Sequence, residues 1–144
     1  MVDVNYLAVL AGALSNMVIG FLWFGPLFGK QWIGLMGFDP AKAEEMKTQA
    51  KAKGMGKYYA GAFVGALVMS YVLAHSIEFA GFYMLVDGVK AGLSTGFWMW
   101  LGFIVPVTLS SVIWEGKSWK LWMFNLAYWL VALLAMGAII AGWK

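Results

Sequence analysis

Side chains able to do acid–base or ligand chemistry are few in this sequence and widely spaced. The single histidine, His75, is followed by Ser76 and Glu78, and Ser94 and Thr95 lie near the start of the third apolar run at a similar depth. His75, Glu78, Ser94 and Thr95 therefore form a candidate site at one membrane face, where an imidazole can titrate or take a ligand. The plainer use of the same histidine is to cap a helix or sit at the interface. Glu115 and Lys117 form a second candidate site at the opposite face, for which a surface ion pair is the plainer use. About a membrane thickness separates His75 from Glu115, so the two cannot act as one catalytic pair.

A third group is polar but uncharged. Asn16 lies about 12 Å inside the first apolar run, Asn125 lies one turn into the fourth, and Thr108, Ser110 and Ser111 occupy the last turns of the third. Polar groups in hydrocarbon are costly and turn toward partners. Asn16, Thr108, Ser110, Ser111 and Asn125 can thus meet as one intramembrane cluster, serving either hydrogen-bonded packing or a small polar ligand. Pro106 frees the carbonyl near residue 102, which offers those hydroxyls a partner and a place for a kink.

The absence of cysteine excludes disulfides and thiolate metal sites. No hydrolase elbow, phosphate loop, paired histidine–carboxylate metal motif or dinucleotide fingerprint is present. The expectation is no catalytic residue, no metal and no cofactor, leaning away from an enzyme. All ten basic residues are lysine, so a guanidinium fork for phosphate or carboxylate is missing.

The elements that must position these residues follow from composition. Hydrophobic residues make up 62% of 144 positions and charged ones 12%, against about 25% charged in an ordinary soluble domain. A membrane helix needs about 20 mostly apolar residues. Four stretches qualify: about Val4 to Phe24, about Tyr58 to Ile77, about Val89 to Trp114 and about Leu121 to Trp143. Their continuity disfavours strands. The fold class expected is all-α: one integral membrane domain over residues 1–144, a four-helix transmembrane bundle. Its start is acidic and its first run long, which reads as a retained helix and not a cleaved signal.

The lysines set a direction. Lys30, Lys42, Lys47, Lys51, Lys53 and Lys57 fall in the first loop and Lys117 and Lys120 in the third, leaving Lys90 and Lys144 on the other side. The positive-inside rule then places both termini outside the cell membrane and the lysine-rich loops in the cytoplasm. Such a cluster reads as a topology signal, with no nucleic acid implied. Within the first loop, Asp39-Pro40 and Gly54 bracket a short cytoplasmic amphipathic helix with Ala43, Met46 and Ala50 on its apolar stripe, drawn to anionic lipid. A mobile charged loop is the alternative. Trp32, Tyr58, Tyr59, Trp119 and Trp122 gather at the inner interface, and Tyr6, Phe82, Tyr83 and Trp143 at the outer one.

Small residues mark the contact faces. Gly12 and Gly20 flank Asn16 on one face, Gly61 and Gly65 share a face of the second helix, and Gly88, Gly92 and Gly96 one of the third. Such faces let backbones approach, within the bundle or between subunits. Gly29-Lys30-Gln31-Trp32 and Gly116-Lys117-Ser118-Trp119 echo each other after the first and third spans. Either an internal duplication or two interfaces with similar needs accounts for that echo.

Several stretches together resemble a known family. These are Gly20-Phe21-Leu22-Trp23-Phe24-Gly25-Pro26-Leu27-Phe28-Gly29-Lys30-Gln31-Trp32, Gly54-Met55-Gly56-Lys57, Tyr71-Val72-Leu73-Ala74-His75, Trp114-Glu115-Gly116-Lys117, Trp119-Lys120-Leu121 and Asn125-Leu126-Ala127-Tyr128-Trp129-Leu130. In this order, over nearly the whole chain, they are similar to a bacterial membrane-protein family known as domain of unknown function 1761. The resemblance implies a small four-span membrane protein and carries over no reaction, substrate or site residue.

The function expected is a non-enzymatic membrane protein that binds or passes a small solute, as a homo-oligomer in contact with membrane lipid. Its ligand is unknown from sequence. The alternative is a structural or regulatory subunit docking on a larger membrane complex through the glycine faces.

Overall fold

In the computed structural model, residues 2–143 are described and fold into six helices with no strand among them. Lys144, counted above with Lys90, lies outside the described residues. Four helices are long and apolar enough to cross a membrane. We number the helices α1 (Tyr6–Leu22), α2 (Gly29–Leu35), α3 (Pro40–Lys53), α4 (Gly56–Met84), α5 (Gly88–Ile113) and α6 (Trp119–Gly142).

Local chemistry fixes where these helices start and stop. The Asn5 side chain caps α1 by accepting from the Leu7 and Ala8 N–H groups at 3.0 and 3.3 Å. Ser118 caps α6 through the Leu121 N–H at 3.2 Å, and Asp39 caps α3, where Pro40 takes the first helical position. Gly54 ends α3 at φ +82°, a conformation that glycine reaches without a Cβ clash. Of the apolar stripe on α3, Ala43 is buried, Ala50 half-buried and Met46 exposed.

Three expectations need correction. The first loop holds two helices, since α2 precedes α3. The second span does not end at Ile77. It continues to Met84, for 29 residues or about 43 Å, because a single carboxylate at Glu78 does not by itself break a helix. Leu85, at φ +53°, terminates it. The first span does not end at Phe24 either, since a π-turn over Trp23–Leu27 extends it past Pro26, with Gly25 leaving helical geometry. A second π-turn widens α5 over Trp100–Ile104, just before Pro106. That proline lacks the N–H a regular helix would offer to the Gly102 carbonyl.

Helix α6 is the centre of the bundle. It packs antiparallel against α5 on one side and α1 on the other, while α4 rests mainly on α1 and touches α5 and α6 more thinly. The core joins Val9, Leu73, Ile77, Leu133, Met136 and Ile140. Asn5 Nδ2 donates to the Trp143 carbonyl at 2.9 Å, tying the start of α1 to the end of α6. The repeated Gly-Lys-Xaa-Trp segments adopt different structures. Gly29–Trp32 opens α2, whereas Gly116 turns at φ +68° in the irregular connection before α6.

Candidate functional site

The lysine-rich half of the bundle does not assemble the five uncharged polar residues into one cluster. Buried Asn16 accepts a hydrogen bond at its Oδ1 from the Tyr128 hydroxyl at 2.9 Å. Thr108 forms a separate pair: its hydroxyl donates to the Ile104 carbonyl at 2.6 Å and accepts from Trp122 Nε1 at 3.1 Å. Exposed Ser110 donates to the Val107 carbonyl at 2.8 Å. Neither Ser111 nor half-buried Asn125 joins Asn16 or Thr108 by a side-chain hydrogen bond. The hydroxyls thus serve carbonyls one turn back in their own helix, and the tyrosine and tryptophan of α6 take the cross-helix roles. Asn16 and Tyr128 pin α1 to α6 beside Trp23, Phe24 and Phe124, whose rings pack around Tyr128 and one another.

The glycines divide in the same way. A Cβ on Gly92 would run into the Gly137 carbonyl, and one on Gly96 would lie 2.7 Å from the Leu133 carbonyl. At Gly12 it would sit 2.6 Å from Ser70 Oγ, and at Gly20 3.0 Å from the Tyr128 hydroxyl. These four glycines admit neighbouring helices. Gly61 and Gly65 face open space. Gly88 also has open space around it and serves instead the positive φ of +62° at the start of α5.

A different picture holds between α4 and α5, in the lysine-poor half. There the thin contact between the two helices leaves a cavity of about 670 Å³. His75, Ser94 and Thr95 all lie in its wall, with Tyr71, Phe79 and Trp98 supplying much of the apolar surface. Glu78, half-buried on the same helix, is not part of that wall. Because α4 runs nine residues past His75, the imidazole stands about 14 Å inside the helix end. It is neither a cap nor a terminal residue.

Within this wall the hydrogen bonding is incomplete. His75 Nδ1 lies 2.9 Å from the Tyr71 carbonyl, one turn back, and the two rings pack at 4.3 Å. A carbonyl can only accept, so Nδ1 carries the proton and donates. Ser76 donates to the Val72 carbonyl at 2.9 Å. Thr95 is only 5% exposed, yet its hydroxyl, like that of Ser94, makes no hydrogen bond to the described residues. A smaller space of about 150 Å³ continues the cleft along α4 and α5 past Met69, Phe103 and Ile104. Cavities of about 300–1,000 Å³ with apolar walls and a few convergent polar groups are the usual form of a small-molecule site. Among the described residues no carboxylate or lysine lines this one.

Glu115 and Lys117 approach to 3.7 Å with both side chains about half exposed. A pair of that kind contributes about 0–1 kcal/mol and holds no cavity. Among the described residues no group of three or more histidine or acidic side chains could hold a metal ion.

Sequence reasoning missed Ser70, Tyr128 and Gly137. Ser70 is fully buried and donates to the Val9 carbonyl at 2.7 Å. A lone hydroxyl in the middle of an apolar run is the signal that points to it. Nothing in the sequence marks the Tyr128 hydroxyl as the partner of Asn16.

Neither a curated protein nor a solved structure matches the chain. A family model described as protein of unknown function (DUF1761) matches residues 7–141, nearly the full length. The chain therefore belongs to that family.

Proposed function

We propose that this is a non-enzymatic membrane protein that holds a small, largely apolar solute between α4 and α5, and that it works as a homo-oligomer. The cavity carrying His75, Ser94 and Thr95 is the observation behind this reading. On the positive-inside rule it opens in the outer half of the membrane, with both termini outside and the lysine-rich loops in the cytoplasm. The axis of the bundle is filled by Ala13, Ser70, Ile77 and Met136, each at most 1% exposed. A solute that passes would therefore move along the cleft or along a boundary between subunits. The open face of α4 around Gly61 and Gly65, with Val64 and Val68 exposed beside it, suits contact with a second copy.

Saturable binding of uncharged amphiphiles to the purified full chain in lipid nanodiscs tests the cavity. The expected result is binding to the wild type that is lost in Ala80→Phe, which fills the wall. Equal binding by both proteins, or no saturable binding at all, contradicts the proposal. The oligomer is tested by mass in native lipid: a multiple of 15.9 kDa supports it. A stoichiometric unrelated partner instead favours docking on a larger complex.

A further inference from the structure

We infer that the cavity between α4 and α5 selects a neutral amphiphile whose polar end is a hydroxyl group, a membrane-soluble alcohol or phenol. The inference rests on the proposed binding role of that cavity and adds the chemistry of its ligand.

Hydrogen-bond parity leads to it. In a neutral imidazole one nitrogen donates and the other accepts. His75 Nδ1 is committed as donor to the Tyr71 carbonyl at 2.9 Å, so Nε2 is left as an acceptor. Ser94 and Thr95 bring hydroxyls without partners among the described residues, and each can donate or accept. These atoms are not sealed off, since the one fully buried side-chain atom without a partner among the described residues is Trp23 Nε1; a polar group that faces hydrocarbon without a partner is nonetheless costly. A ligand hydroxyl meets the whole set, since its proton goes to Nε2 and its lone pairs accept from Thr95 or Ser94. A ketone satisfies the hydroxyls but leaves Nε2 without a proton. An ether does the same with a poorer acceptor. A carboxylate would carry its charge into a wall that has no lysine among its described residues.

The rest of the ligand is apolar. Beyond Ser76 the cleft narrows to about 150 Å³ between Met69, Leu73, Phe103 and Ile104, a path for an alkyl or prenyl chain along the helices. The cavity opens between two helices that cross the hydrocarbon, so a lipid-dissolved molecule reaches it sideways.

Binding of 1-decanol, 2-decanone, decyl methyl ether, decanoate and decane to the full chain in nanodiscs tests the inference. The alcohol is expected to bind about tenfold or more tighter than the ketone and the ether, the effect of one unmade hydrogen bond in a dry site. His75→Phe should bring alcohol and ether to equal affinity, whereas Thr95→Val should weaken both and leave the preference for the alcohol in place. Decane binding should be unchanged in both variants, which shows that the cavity has folded. Equal affinity of the wild type for alcohol, ketone and ether overturns the hydroxyl inference and leaves the cavity's binding role standing. Preference for decanoate also overturns it. No saturable binding of any of the five removes both readings.

Discussion

The two seams of helix α5 could hardly be less alike. Against α6 it lies backbone to backbone, with Gly92 at the Gly137 carbonyl, Gly96 at Leu133, and the Trp100 Nε1 donating to the Leu126 carbonyl at 2.9 Å. Against α4 it stands off and leaves a cavity of about 670 Å³ in whose wall two hydroxyls and an imidazole nitrogen lack partners. In lipid no hydrophobic force drives helices together, so close packing and satisfied hydrogen bonds decide which seams are tight. Glycine makes the first seam. The second has no such glycine contact, and Phe79 and Trp98, both largely exposed, line its cavity. One seam therefore builds the protein, and the other is available to a ligand.

That contrast can be broken most sharply at Gly92. Gly92→Ala places a methyl group on the Gly137 carbonyl, and the helices must part. A loss of about 1–3 kcal/mol is expected from such overpacking against backbone. Thermal unfolding in detergent, compared with Gly65→Ala, reads it, because the Gly65 position is open and its substitution should change stability little. Equal losses at both positions would erase the distinction between the seams.

A smaller effect is expected where α1 meets α6. Tyr128→Phe removes the hydroxyl that donates to Asn16 at 2.9 Å and should cost about 1 kcal/mol. An unchanged unfolding midpoint would mean that the Asn16 amide finds another partner, and that this contact does not pin the two helices.

The four spans were legible in the sequence because lipid demands long continuous apolar runs, and nothing in a short chain imitates them. The end of α4 was not, since apolarity counts the residues a membrane needs and not how far a helix runs on past them, here through Glu78 to Met84. Gly12, Gly20, Gly92 and Gly96 could be picked out by spacing alone, but spacing did not separate them from Gly61 and Gly65, which face open space. Depth brought His75, Ser94 and Thr95 to one level, and all three line one cavity. Depth also suggested a cluster of Asn16, Thr108, Ser110, Ser111 and Asn125. There the rotation of each helix intervenes, and residues at one level turn to different neighbours. Which partner Asn16 meets depends on the register of α1 against α6, and a single sequence carries no direct signal of that register.

Cysteine labelling tests most directly the claim that one seam is a site and the other a joint, since the chain has no cysteine of its own. Ala80 lines the cavity, and Ala132 is fully buried on α6. With Ala80→Cys and Ala132→Cys prepared in the full chain and held in nanodiscs, the rate of reaction with a membrane-permeant thiol reagent is followed with and without 1-decanol. The expected result is that Ala80→Cys reacts and is protected by the alcohol, while Ala132→Cys stays unreactive under both conditions. Equal reactivity at the two positions, or an Ala80→Cys rate unaffected by the alcohol, would contradict a ligand site between α4 and α5.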